Sequence, residues 1–399
     1  MVIKQMSMPS RLELLKEAKK RYLKSSKEKK SKILDEVCAN TGYHRKYATR
    51  RLAAAVSLSE PKVINKKRKH IYTSNDIFWL AKIWEILDYP CGQRLQPVLA
   101  ETIDKLKKDK KLNIPDSSLE KLKKISISTT DERLKPYRKK MIDKMKRING
   151  TTKPGSLLKK QIPIRTSSWD EKRAGYCELD TVAHCGDSLA GEFINSLNLT
   201  DMLTQWTEGA AIMGKAEKRI KDGLEEIEGR LPFRLNGIDP DNGSEFINWQ
   251  LYNHCVKKQI DFTRGRPYKK NDNAHIEQKN WTHVRKIFGY ERLDSQEELD
   301  LMNDLYRNEL HLYKNFFLPC IKLIDKKRVG KNKEKIKRIY DKAKTPYRRV
   351  MECEQISDEK KKEYREQYDK INPIDLRNSI LEKLKKLSKL IMEKKSLKK

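Results

Sequence analysis

The chain has 399 residues, with 89 Lys and Arg against 56 Asp and Glu and a formal net charge of +33. This length accommodates about two to four domains, and the charge favours a polyanionic partner, because each neutralised phosphate releases a condensed counterion. No run of about 18 apolar residues is present to span a bilayer, residues 1–11 lack the apolar core of a signal peptide, and the basic residues are spread along the chain, which favours nucleic acid over a lipid surface. The seven cysteines are scattered without a C-x-x-C pair, as in a reducing, cytoplasmic setting. Cys177, His184 and Cys185 have the spacing of no common zinc finger and are assigned to packing.

From the N-terminus, Ile33, Leu34, Val37 and Cys38 recur at helical spacing within residues 30–38. Asn40-Thr41-Gly42 breaks that helix, and Gly42 suits the left-handed conformation of a C-cap. A second helix is expected over residues 44–56, burying Tyr47, Ala48 and Leu52 and displaying His44, Arg45, Lys46, Arg50 and Arg51. A helix, a short Gly-containing turn and a basic helix form the helix-turn-helix pattern, whose second helix enters the major groove. A plain helical hairpin with a solvated basic face has the same pattern; the total charge favours DNA. Residues 1–60 are therefore read as a helix-turn-helix DNA-binding domain in which these five side chains contact DNA.

Residues 61–70 form a basic linker. Beyond it, Ile77, Leu80, Ala81, Ile83, Trp84 and Leu87 describe an amphipathic helix that stops before Pro90, and further helices are expected over residues 96–108 and 116–124. The polar run 126–130 leads into the basic stretch 133–147, repeating the helix, turn, basic-helix order. Residues 71–150 are read as a second helical DNA-binding domain, closed by a basic linker containing Pro154 and Gly155. Strand-like runs at 176–182, 193–199 and 209–212, a helix at 216–228, a strand at 235–238, a helix at 246–257, a strand at 260–263 and a helix at 274–288 follow. That order predicts an α/β domain of mixed sheet over residues 162–313. Residues 314–399 form a basic C-terminal region. Its Leu376, Ile380, Leu384, Leu387 and Ile391 make a seam able to pair with another helix. Its last stretch, 377–399, holds nine Lys/Arg against two acids and equally suits phosphate contact.

Three acids stand out by position. Asp180 lies within the strand 176–182, where a lone carboxylate is costly unless it meets a cation. Asp241 follows the apolar run 235–238 and opens Asp241-Asn242-Gly243-Ser244-Glu245-Phe246. There Asn-Gly makes a turn and Ser244 can cap the next helix, which leaves Asp241 at the carboxyl end of a strand, where open α/β sheets place ligands. Glu277 lies on a helix with Ile276 facing the core and Asn280 and Trp281 on a neighbouring face; Trp281 is assigned to core packing. Asp239 is the rival of Asp241, which the Asn-Gly turn favours, and Glu178 is read as a structural charge. The signal is the order of strand Asp, strand-end Asp-Asn-Gly and helix Glu, with 35 residues (242–276) between the last two.

With those motifs in place, residues 175–288 resemble the catalytic domain of the DDE transposase and retroviral integrase superfamily, which has an RNase H-like fold. Glu178-Leu179-Asp180-Thr181 resembles its first catalytic strand, Thr200-Asp201 through Gln205-Trp206-Thr207-Glu208-Gly209-Ala210 its second and third strands, and Asp241–Phe246 its second acidic motif. Gly265-Arg266-Pro267-Tyr268 through Asn273-Ala274 is similar to the mobile loop before the third acid, and Glu277 with Asn280 to the third motif. The flanking helical units resemble those of bacterial insertion-sequence transposases more than of retroviral integrases, whose His/Cys zinc domain has no counterpart here. The resemblance implies that Asp180, Asp241 and Glu277 hold two Mg²⁺ (or Mn²⁺) ions, roughly 3.5–4 Å apart, for in-line phosphoryl transfer. It implies release of a 3′-OH at each element end and its attack on target DNA, by a homo-oligomer acting in the bacterial cytoplasm at the nucleoid. Arg264, Arg266, Tyr268, Lys269 and Lys270 suit a loop gripping a strand near the scissile phosphate, and Lys279, Asn280 and Arg285 are expected DNA contacts. A transposase-derived DNA-binding regulator and a non-joining RNase H-like nuclease are the alternatives.

Overall fold

The structure is a computed structural model in which residues 6–53, 71–142, 173–241, 243–264, 274–329 and 335–397 are described. The linkers 61–70 and 151–161 lie outside these residues. The chain divides into two packing units, Met1–Ile71 and Tyr72–Lys399.

In the first unit, α1 (Met8–Leu23), α2 (Lys27–Thr41) and α3 (Arg45–Ala53) enclose Leu15, Ala18, Tyr22, Ile33, Leu34, Val37, Ala48 and Leu52. Ser7 caps α1, its Oγ accepting from the N–H of Ser10. The turn between α2 and α3 is set by Gly42, which has φ +72° and donates its N–H to the carbonyl of Cys38. A Cβ on Gly42 would meet nothing within 4 Å, so the cost of Gly42→Ala is conformational only. It is expected to lower the stability of this unit by about 1 kcal/mol, readable as an earlier thermal transition, and an unchanged transition would contradict the left-handed cap. His44, Arg45, Lys46 and Arg50 are exposed, Arg51 and Tyr47 half-buried. Arg45 is tied to Asp35 and Ser31 of the preceding helix.

The second unit begins with α4 (Ser74–Ile86), α5 (Gly92–Lys108), α6 (Asp116–Lys123) and α7 (Ile127–Ile142). Asp76 organises these helices. It closes a capping box with Thr73 and also accepts from Ser118 Oγ at 2.6 Å and Lys121 Nζ at 3.1 Å. These hydrogen bonds outweigh its burial and hold its pKa down at about 2.

The sheet follows: β1 (Tyr176–Ala183), β2 (Ile194–Asp201), β3 (Thr207–Met213), α8 (Glu217–Glu228), β4 (Gly237–Pro240), α9 (Trp249–Lys258) and β5 (Asp261–Phe262). Strand order is β3-β2-β1-β4-β5; β2 runs antiparallel to β1 and β3, and β4 runs parallel to β1 and β5. This is the mixed sheet expected from the alternation of strand-like and helical runs. Its two faces differ in chemistry because strand side chains alternate. Leu179, Leu197, Ala210 and Ile212 face α8, where Gly223 lets the helix approach Leu197 and Ile212 closely. Glu178, Asp180, Ser196, Asn198 and Thr200 alternate with them and share the other face.

That polar face is covered by one continuous helical stretch, α10 (Ala274–Lys279), a π-helical turn (Asn280–Arg285) and α11 (Lys286–Phe288). Beyond it come α12 (Gln296–Leu305), π-turns at Tyr306–Leu310 and Tyr313–Phe317, a hairpin of β6 (Leu323–Val329) with β7 (Lys335–Tyr340), α13 (Pro346–Glu352), α14 (Asp358–Lys370) and α15 (Pro373–Leu397). The segments read from sequence as 71–150, 162–313 and 314–399 share hydrophobic cores, one of them joining Leu80, Leu95, Leu179, Trp206, Phe316 and Tyr347. The seam of α15 finds its partner helices within the chain: Ile380 and Leu387 are buried with Met302, Leu305 and Leu310. Lysines flanking it are ion-paired, Lys394 with Asp294 and Glu298, Lys383 with Asp304 and Glu309.

Candidate active site

Strand register brings the first two acids together. In the parallel pairing of β1 with β4, Glu178 lies opposite Asp239 and Leu179 opposite Pro240, so the next step places Asp180 beside Asp241 at the end of β4. Asp180 Oδ1 accepts from the Thr181 N–H at 2.7 Å, and Oδ2 accepts from Asn280 Nδ2 at 2.6 Å. Asp180 stays partly accessible, yet loss of hydration and then the charge of Asp241 push its pKa up to about 7. Asp241 is also raised, by burial and by Glu245, against the opposing pull of the Gly243 N–H and Lys215. The Gly243 N–H donates to Asp241 Oδ1 at 2.7 Å, and a Cβ there would lie 2.5 Å from Glu245 Oε2 and 2.8 Å from Asp241 Oδ1. Only glycine fits between those two carboxylates without displacing one.

Glu277 is on α10, and its side chain lies outside the described residues, as do Asn242, Arg266, Tyr268, Lys269 and Lys270. Among the described residues no three His, Cys, Asp or Glu side chains gather as a metal-holding group. The backbone of α10 is fixed to β1 by buried Glu178, whose Oε2 accepts the Ile276 N–H at 2.8 Å. Asp239 is also buried and accepts from Thr263 Oγ1 at 2.6 Å.

Asn280 turns inward to Asp180, and its own Oδ1 accepts from Asn198 Nδ2 at 3.0 Å. Because Asn280 Oδ1 is used as an acceptor, its amino group must face the carboxylate. Asn280 opens the π-turn, a wider turn frequent at functional sites. Lys279 is buried, with Nζ donating to the Gln205 carbonyl at 3.4 Å. Arg285 packs over the Tyr290 ring, and Arg264 is buried.

Several members of this site escape sequence reasoning. Glu245 accepts from Lys215 Nζ and from Thr181 Oγ1, forming a paired fourth carboxylate beside the acids. The motif contained Glu245 but nothing pointed to Lys215, and Asn198 is identifiable only once the register with Asp180 is known. Ser244 is exposed; the cap of α9 is Asn248, whose Oδ1 accepts the Leu251 N–H at 2.8 Å. Trp281, assigned to the core, is 44% exposed, since five residues after the buried Ile276 helical phase turns it away from the sheet.

No protein-family model matches the chain. Among solved structures, the catalytic core domain of BIV integrase is similar with a TM-score of 0.30 and 16% identity, covering 45% of this chain and 95% of that one. The uncharacterized protein y4rM of Sinorhizobium fredii (strain NBRC 101917 / NGR234) is 34% identical over 327 residues, which are 82% of this chain and 92% of y4rM. The chain belongs to the same family as y4rM.

Proposed function

We propose that the chain is a DNA transposase that binds element ends, releases their 3′ ends and joins them to target DNA, with Asp180, Asp241 and Glu277 as the reacting-site carboxylates. The observation that carries this reading is the pairing of Asp180 with Asp241 on the polar face of the sheet, beneath the helix that bears Glu277. Two neighbouring carboxylates, one held near neutrality by lost hydration and mutual repulsion, form a site that a cation would relieve. The donor set of hard carboxylate oxygens fits Mg²⁺ or Mn²⁺. Two such ions held by Asp180, Asp241 and Glu277 would supply Lewis-acid stabilisation of the charge developing at the phosphoryl group.

The chain's own residues prepare the site. Thr181 N–H and Asn280 hold both oxygens of Asp180, Gly243 N–H holds Asp241, and Glu178 anchors the backbone from which Glu277 projects. The excess of 89 basic over 56 acidic residues suits a DNA partner, with His44, Arg45, Lys46 and Arg50 exposed on the first unit. Joining two ends together calls for a homo-oligomer.

Strand-transfer assays on labelled terminal repeats test the proposal. Joined product is expected from the wild type and a loss of about 10³-fold or more in Asp241→Ala and Glu277→Ala, with DNA binding retained. Cleavage without joining would identify a nuclease, and binding without either a regulator. Full activity in either variant would remove that residue from the site.

A further inference from the structure

A cavity of about 280 Å³ opens beside the helical stretch that carries Glu277 and Asn280, lined from that stretch by Lys279 and Trp281. Arg94, Tyr89 and Lys286 line it from other elements. Its charges are not balanced. Lys286 is paired with Asp88 at 2.6 Å, but neither Lys279 nor Arg94 has an ion-pair partner among the described residues. Arg94 Nε is buried without a hydrogen-bond partner, and Lys279 Nζ reaches only a neutral carbonyl of Gln205 at 3.4 Å. Lys279 is buried, the Arg94 Nε is shut off from water, and the acid lining the cavity, Asp88, is already paired with Lys286, so an anionic ligand would satisfy both cations.

The same cavity offers an aromatic surface. Trp281 lines it and is 44% exposed, and Tyr89 lies beneath Lys286 and Arg377. Cations beside an exposed indole match a phosphate joined to a planar base. In a paired duplex the base faces are stacked on their neighbours and cannot enter a pocket of this size.

We propose that this cavity takes one unpaired nucleotide of the DNA strand next to the cleavage site, its phosphate on Arg94 and Lys279 and its base on Trp281. The inference rests on the DNA-transposase reading. In that setting the pocket holds a frayed or overhanging nucleotide and keeps the duplex end open beside Asp180 and Asp241.

Equilibrium binding of the full chain to two duplexes of the same sequence tests it, one blunt and one with a three-nucleotide overhang. The overhang duplex is expected to bind about tenfold more tightly, as one base stacked on an aromatic side chain allows. In Trp281→Ala and in Arg94→Gln that preference should fall to about one, while blunt-duplex binding stays unchanged and so reports an intact fold. Equal wild-type binding of both duplexes, or a preference that survives both substitutions, would overturn the pocket assignment while leaving the transposase reading standing. Failure to bind either duplex would overturn both.

Discussion

Substituting Asp180 with Asn is expected to abolish DNA joining and at the same time to raise the melting temperature of the metal-free protein at neutral pH. In the folded chain Asp180 keeps its proton up to about pH 7, while in the unfolded chain it titrates near the ordinary value of 3.8. Between those pH values the folded state binds more protons than the unfolded one, so stability falls as pH rises and the full penalty is present above pH 7. The rise from 3.8 to about 7 corresponds to at most ~4 kcal/mol. Asn carries no charge and escapes the penalty, but both carboxylate oxygens of Asp180 are acceptors, from Thr181 and Asn280, and an Asn side chain can satisfy only one of them with its oxygen. Setting about 1–2 kcal/mol against the gain leaves a net stabilisation of roughly 2 kcal/mol. The advantage should vanish at pH 4, where the folded Asp180 is protonated and the remaining charge penalty is below about 1 kcal/mol.

The same variant separates charge repulsion from cation binding. Wild-type melting temperature is expected to climb with added Mg²⁺, by about 2.7 kcal/mol of stabilisation at a hundredfold excess over the dissociation constant. Asp180→Asn should lose most of that response. A variant that melts below the wild type at pH 8, or that responds fully to Mg²⁺, would contradict the burden of charge placed on Asp180.

The largest loss of stability is expected from Glu208→Ala. Glu208 lies on β3 with its side chain fully buried. Its Oε1 accepts from Trp206 Nε1 at 2.7 Å and Asn315 Nδ2 at 3.3 Å, its Oε2 accepts from Arg230 Nε at 3.2 Å, and His311 Nδ1 lies 2.5 Å from Oε1. One carboxylate therefore joins β3 to Arg230 in the turn after α8, to His311 between the two π-turns and to Asn315 in the second of them. Removing it leaves the Arg230 guanidinium and the Trp206 indole N–H without their buried acceptor, at about 3–5 kcal/mol. Glu208→Gln keeps an acceptor of the same shape but no charge, and should fall between the alanine variant and the wild type. Urea unfolding of the three proteins measures the order; an alanine variant within about 1 kcal/mol of the wild type would show that the network adds little.

Local patterns made much of the catalytic sheet legible. Strand-like runs located β1, β2 and β3, and three- and four-residue spacing located the seam of α15. Errors came where two local solutions are close in energy. Ser244 and Asn248 are comparable caps, and the turn over residues 244–248 delays α9 to Trp249, so the chosen cap is the one its packing permits. The π-turn at Asn280–Arg285 has no local signature, and Trp281 was assigned to the core on its size although its phase relative to Ile276 turns it outward. Residues 71–150 and 314–399 are basic and helical by themselves, yet they bury Leu80, Leu95 and Tyr347 in the core that holds Leu179, a union that composition does not report.

The sequence by itself determined the charge, the periodicity of the main elements and the order of Asp180, Asp241 and Glu277, since each is a property of neighbouring residues or of simple totals. Only the tertiary structure decided that Asp241 sits beside Asp180, that Asn198 orients Asn280 against Asp180, and that Arg94 and Lys279 share a cavity whose acid, Asp88, is taken by Lys286. Those placements depend on strand register and helix packing between segments tens to hundreds of residues apart. A shift of one residue in register would turn Asp180 to the apolar face, and no local pattern of a few residues carries that information.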